Sequence, residues 1–425
     1  MESFDLIRKW GLSAHPFGTG DAKDEENLQE VFLEPPYFGD ILGDPANPKS
    51  TIVHGQRGDG KSAAREMIFA ALNDPRFRRI IVNYDRFDHF SREQARNANL
   101  ESHLMPITFH ILNRILLDGE IDAHPFSGLS QSERADLTWL LLRFTPSDLK
   151  DQYERRLQGI YHIAFPSKSS KRFFRKTFGS IGRYLKRKRF EMEQSHDTAS
   201  APVELVKALL ILISPRIPIS GKLGDRSVFD LFVRLRDLSL RLGYRDIVIL
   251  IDNLDEAECT SDDLELTATL FRPLLASLQF LKLDKVATKL FIPSDVRNFI
   301  GSALRTDRLT TRVIEWSDQM LEQLVNKRLI ALSGGRLTSL QPLVDSDYWS
   351  EFHRELFIAA AKNPRNLIRI LGYIVAEMCE ISEHPDIITR EAFSIARKHF
   401  LDERLSEPGA GAYLERVAAA REQIH

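Results

Sequence analysis

Residues 51–72 constrain the fold more tightly than any other stretch of the chain. Thr51-Ile52-Val53-His54 is a β-branched apolar run that opens directly into Gly55-Gln56-Arg57-Gly58-Asp59-Gly60-Lys61-Ser62, and residues 63–72 resume with helix-forming composition. Strand, glycine-rich loop and helix in immediate succession predict the start of a βαβ unit, and residues 79–84 supply a second β-like run at crossover spacing. The loop has the spacing GxxxxGK[ST] in full. Its glycines let successive backbone N–H groups turn inward around a phosphate, while the following helix points its positive N-terminus at the same anion. Gly55, Gln56, Arg57, Gly58, Asp59, Gly60, Lys61 and Ser62 are therefore the expected phosphate-binding residues. Lys61 is expected to bridge the β- and γ-phosphates and the Ser62 hydroxyl to ligate Mg²⁺. A glycine-rich turn matching by chance is the competing reading, and the flanking strand and helix argue against it.

From about residue 91 to 243 the periodicity is helical, with apolar stripes at 104–117, 135–144, 203–213 and 228–242. A sheet pattern returns with Ile247-Val248-Ile249-Leu250-Ile251, a continuous apolar run suited to a parallel strand buried on both faces, and again at residues 289–292, closed by Pro293. The first run ends in Asp252-Asn253-Leu254-Asp255-Glu256, which puts carboxylates at the C-terminal edge of a buried strand, where open α/β sheets bind ligands. Asp252 is the natural partner for Mg²⁺. Asp255 or Glu256 could orient the attacking water, because phosphoryl transfer needs placement and charge stabilisation more than strong base chemistry. After residue 314 the sequence is helical again, at 318–332, 348–362, 366–380 and 390–401.

The pattern of apolar residues, Asp, a polar residue, an apolar residue, Asp and Glu resembles the Walker B motif of the STAND class of signalling ATPases, including NACHT and KAP relatives, more than the DE of ordinary AAA+ enzymes. NACHT proteins usually carry glycine where Asn253 stands. Residues 31–37, the phosphate loop, residues 250–256 and Ile314-Glu315-Trp316 also look like a group of bacterial STAND-type ATPases. The resemblance covers about 150 residues in separated blocks. It implies an α/β parallel-sheet P-loop NTPase core of the AAA+/STAND kind, with a helical insertion and a C-terminal helical lid. It also implies ATP and Mg²⁺ as ligands, and Asp255 as the better catalytic candidate than Asn253. Ser294 and Arg297, just after the run at 289–292, stand where related ATPases keep a γ-phosphate sensor, although a polar turn would look the same. Lys362-Asn363-Pro364-Arg365 resembles the second sensor region of such lids, with Arg365 as the candidate; a surface ion pair is its alternative. Arg305, Arg308 and Arg312 are candidates for an arginine finger, with solvated surface positions as the competing reading.

The expected organisation is a lead-in at 1–34, core segments at 35–90 and 225–313, a helical insertion at 91–224 and a helical lid at 314–425. Within the insertion, residues 168–190 carry ten Lys and Arg with interleaved Phe and Tyr and no acidic residue. That stripe suits nucleic acid, an acidic protein surface or an anionic membrane. A net charge of −2 gives no global field favouring any of them. Cys259 and Cys379 lack metal-ligand or disulfide spacing, and no apolar run is long enough to span a bilayer, so a cytoplasmic location is expected.

The resemblance implies an oligomerising, nucleotide-driven switch acting with a separate effector, in bacterial defence against phage by family analogy. Two other classes remain in view. One is an AAA+-like loader or remodeller gripping nucleic acid through 168–190; the other is an ATP-binding scaffold with little intrinsic hydrolysis. No NKxD base-reading motif is evident, which favours ATP over GTP.

Overall fold

The computed structural model describes residues 3–165, 226–260, 263–300, 308–381, 386–407 and 409–422. Its centre is a five-stranded, all-parallel sheet flanked by helices, an α/β architecture. The strands are β1 (Thr51–Gly55), β2 (Ile80–Tyr84), β3 (Ile247–Ile251), β4 (Val286–Pro293) and β5 (Thr310–Val313), in the spatial order β2-β3-β4-β1-β5. β1 pairs with β4 in the register Val53↔Phe291, and β3 pairs with β4 in the register Ile249↔Thr288.

Every residue of β1, β3 and β4 is buried, as expected for strands covered on both faces. Alternation sorts their side chains. Ile247, Ile249 and Ile251 join one core with the helices Leu100–Ile121, Val228–Arg241 and Leu264–Ala276, whereas Val248 and Leu250 face the helix Lys61–Leu72. β4 begins three residues before the apolar run at 289–292, taking in Val286-Ala287-Thr288. β5 has no signature in the sequence: Thr310-Thr311-Arg312-Val313 is a half-exposed edge strand, and only pairing with β1 makes it a strand.

The C-terminal helices form a second core with residues from the N-terminal segment. Leu6, Ile7, Leu12, Phe17 and Val31 pack with Leu321, Phe352, Leu371 and Phe400. Ser13 donates from both its N–H and its hydroxyl to the Leu332 carbonyl, and Arg328 donates to the Pro16 carbonyl and the Glu25 carboxylate. The N-terminal segment is thereby bound to the C-terminal helices before it reaches the sheet. No helix among the described residues is long and apolar enough to cross a membrane, and residues 168–190 and the stripe at 203–213 lie outside the described residues.

Candidate functional site

The strand order sets the site's geometry. The loop after β1 and the acidic turn after β3 stand at the same C-terminal sheet edge, with the end of β4 between them. Gly60 caps the helix Lys61–Leu72 with a left-handed backbone, φ +88°, a conformation that glycine adopts without steric cost. Lys61 is buried, and its Nζ donates to the carbonyls of Gly55 and Gln56, each at 3.0 Å. The Ser62 hydroxyl lies beside the Asp252 carboxylate and helps to stabilise its charged form.

Asp252 is almost fully buried. Burial pushes its carboxyl above the usual carboxylate range, and Arg65, the Ser62 hydroxyl and Lys61 oppose that rise. A carboxylate stripped of solvent beside a hydroxyl is the donor pair that Mg²⁺ uses together with substrate phosphates, since this ion keeps few protein ligands. The residues present fit Mg²⁺ in that role. Among the described residues no three His, Cys, Asp or Glu side chains converge to cage a metal by themselves.

Asn253 has a left-handed backbone, φ +61°. Asn tolerates that region better than most residues, which suits it to this turn. Its amide, oriented by its neighbours, donates to Asp252 Oδ2 at 3.2 Å and accepts from Lys23 Nζ at 2.9 Å. Asp255 and Glu256 follow on a single 3-10 turn, Leu254–Glu256. Glu256 is exposed and lines the cleft, and the side chain of Asp255 lies outside the described ones.

The loop is gripped from the C-terminal side. Asp59 is buried; it accepts from the Gln56 N–H at 2.7 Å and from Asn363 Nδ2 at 3.1 Å, and it pairs with Arg416 at 3.4 Å. Burial raises its carboxyl despite Arg416 and the loop N–H. Trp316 Nε1 donates to the Asp59 carbonyl at 2.9 Å. The Arg365 N–H approaches the Gly58 carbonyl at 3.4 Å, while its Nε donates to the Gly20 carbonyl at 3.3 Å.

A partly open cleft runs from Lys61, Ser62, Asp252 and Glu256 to an apolar end. That end includes Phe32, Leu33, Tyr37, Ile314 and Trp316. The Tyr37 hydroxyl is buried there without a hydrogen-bond partner, and burial holds its pKa well above the ordinary value. Arg365 lines the cleft; Ser294 and Arg297 do not, although β4 carries them to the same edge, Ser294 half-buried and Arg297 exposed. Arg312 is paired with Asp40 at the sheet edge at 2.9 Å, Arg308 is exposed just before β5, and Arg305 lies outside the described residues.

Several side chains around the site have no motif to announce them. Arg65 falls one helical turn after Lys61 on the buried face shared with Ile68 and Leu72, a charge in an apolar stripe. Asp85 directly follows β2 and obeys the same strand-then-Asp rule as Asp252. Lys23 comes from a distant segment and carries no local signal, and Asn363 stands in the stretch 362–365, where the resemblance singles out Arg365 alone.

No protein-family model matches the chain, and no curated protein sequence matches it.

Proposed function

We propose that the chain binds ATP with Mg²⁺ and hydrolyses it, working as a nucleotide-driven switch of the STAND and AAA+-like kind. The reading is carried by one juxtaposition: Lys61 and Ser62 at the start of a helix, with the Ser62 hydroxyl beside the buried carboxylate of Asp252. The loop N–H groups and the helix N-terminus would cradle the phosphates. Lys61 would exchange its two carbonyl partners for phosphate oxygens. Ser62 and Asp252 would hold the metal ion, which would supply charge neutralisation to the phosphates. Glu256, on the cleft wall, and Asp255, beside it in the same turn, would orient the attacking water. The apolar end at Phe32, Tyr37, Ile314 and Trp316 suits a flat purine base.

The switch part of the proposal is supported by where the C-terminal helices rest. Asn363, Arg365 and Trp316 all touch the loop itself, so a change in loop occupancy acts on them directly. Assembly into oligomers and a separate effector chain belong to the same proposal through the resemblance alone.

A second reading, an ATP-binding scaffold with slow turnover, is favoured by Lys61 being held by the loop carbonyls while the C-terminal helices rest on the same loop. Calorimetric ATP titration with Mg²⁺, alongside phosphate release, tests both in the wild type, Lys61→Ala and Asp252→Asn. Loss of the Lys61 charge-assisted contacts is expected to weaken binding about tenfold or more. Asp252→Asn is expected to abolish turnover while weakening metal-dependent binding. Binding without turnover in the wild type selects the scaffold; no ATP binding, or full binding by Lys61→Ala, overturns the site.

A further inference from the structure

Arg65 occupies an unusual place beside the proposed metal ligand. Its side chain is 2% exposed, its Nη1 donates to Asp85 Oδ2 at 2.6 Å, and its Nη2 is bonded to Glu66. Its Nε stands 3.7 Å from Asp252 Oδ2, beyond hydrogen-bonding distance, and has no other hydrogen-bond partner. A guanidinium presents five donors in a rigid fork that pairs avidly with carboxylates, so an unrestrained Arg65 would close on Asp252. Two carboxylates hold it back. Asp85 is itself fixed by Lys23, 3.4 Å away, and the Lys23 ammonium also reaches the Asn253 carbonyl, so the ring returns to Asp252 through the Asn253 amide.

We infer that Asp85 is a positioning residue of this site: together with Glu66 it restrains the Arg65 guanidinium and so keeps Asp252 available to Mg²⁺. The inference rests on the ATP–Mg²⁺ reading above. Asp85 does not line the cleft, so its action runs through Arg65. Arg65 contributes positive charge near Asp252 without occupying the oxygens that a cation would take. With Asp85 neutralised, the guanidinium loses the restraint on Nη1, and its Nε, 3.7 Å from Asp252 Oδ2, can close on that oxygen in direct competition with the ion.

The test measures ATP affinity calorimetrically in Mg²⁺ and in EDTA, the ratio being the metal's contribution, for wild type, Asp85→Asn and Asp85→Asn/Arg65→Met. Asp85→Asn is expected to reduce the ratio about tenfold, the scale of outer-shell changes at metal sites, with EDTA affinity unchanged. The double variant removes the competing guanidinium and is expected to recover most of the ratio. It also removes one charge of each sign, which preserves the local balance. An unchanged ratio in Asp85→Asn overturns the inference. So does a ratio that stays low in the double variant, because Asp85 would then act independently of Arg65. A wild type whose ATP binding ignores Mg²⁺ overturns instead the functional reading on which the inference stands.

Discussion

Asn363 Nδ2 donates to the Arg57 carbonyl at 2.8 Å, so the C-terminal helices rest directly on the glycine-rich loop. Gly58 lies beneath this contact. A Cβ at position 58 would lie 2.7 Å from Asn363 Oδ1 and 2.9 Å from Arg365 Cβ, on a backbone with φ +84°. Gly58→Ala is therefore expected to lift residues 361–366 off the loop and to lower ATP affinity at least about tenfold, one or two lost contacts' worth. Hydrogen exchange at those residues should rise several-fold. Wild-type exchange in the variant would mean that the contact bears no load.

The turn that presents Asn363 is strained. Ala361 and Lys362 have φ of +51° and +53°, two consecutive non-glycine residues in the left-handed region. Glycine would relieve about 1–2 kcal/mol at each position and give back roughly half through its more flexible unfolded chain. Ala361→Gly and Lys362→Gly are each expected to raise stability by about 0.5–1 kcal/mol in urea unfolding, from that balance. A fall in stability in both would show that the turn stores no strain.

His54, the residue before the loop, is buried with neither ring nitrogen hydrogen-bonded. Burial, then Arg297 and Lys61, push its pKa down to about 4 from an ordinary 6.5. Between those values the unfolded chain binds a proton that the folded chain refuses, so stability is full above pH 6.5 and is lost as pH falls towards 4. The contribution is on the order of 3 kcal/mol. His54→Leu should remove this acid sensitivity, seen as a wild-type-minus-variant stability difference that rises as pH goes from 4.5 to about 6.5. A difference that does not vary with pH would rule the histidine out.

Lys289 sits in the middle of the sheet, fully buried, donating to the carbonyls of Ile41 at 2.6 Å and Leu42 at 3.2 Å and to Thr51 Oγ1 at 3.2 Å. It anchors the C-terminal end of the helix Phe38–Leu42, whose N-cap is Tyr37 of the cleft. Burial lowers its pKa to about 8 from 10.5. From about pH 8 to 10.5 the unfolded chain holds the proton that the folded chain has released, so this group makes stability rise with pH across that window. Tyr37 and Tyr84, raised by burial, act the opposite way at higher pH. The clean measurement is therefore wild type minus Lys289→Met at about pH 7.5 and about pH 9.5, with the difference expected to grow by about 2 kcal/mol. A constant difference would mean that the ammonium stays charged, stabilised by its three oxygen partners.

The sequence by itself determined the strand, loop and helix at 51–72, the buried strand at 247–251 and its terminal Asp252, because these depend on local periodicity and on spacing within one turn. It also located helices such as Gln131–Phe144, Val228–Arg241, Asp318–Ser333 and Pro364–Ile381 to within a few residues, from apolar stripes that repeat every turn, but did not single out Lys150–Ala164, Leu264–Ala276 or Ala410–Glu422. β5 escaped, since Thr310-Thr311-Arg312-Val313 has no apolar pattern and becomes a strand only by borrowing hydrogen bonds from β1. Tertiary structure alone decided that β4 lies between β1 and β3, which brings Ser62 within reach of Asp252. It also decided that Arg65 stands between Asp85 and Asp252, and that Asn363 touches Arg57. Such contacts join residues from 20 to 306 positions apart, and no periodicity or spacing rule encodes which buried polar groups will satisfy one another once the chain has closed.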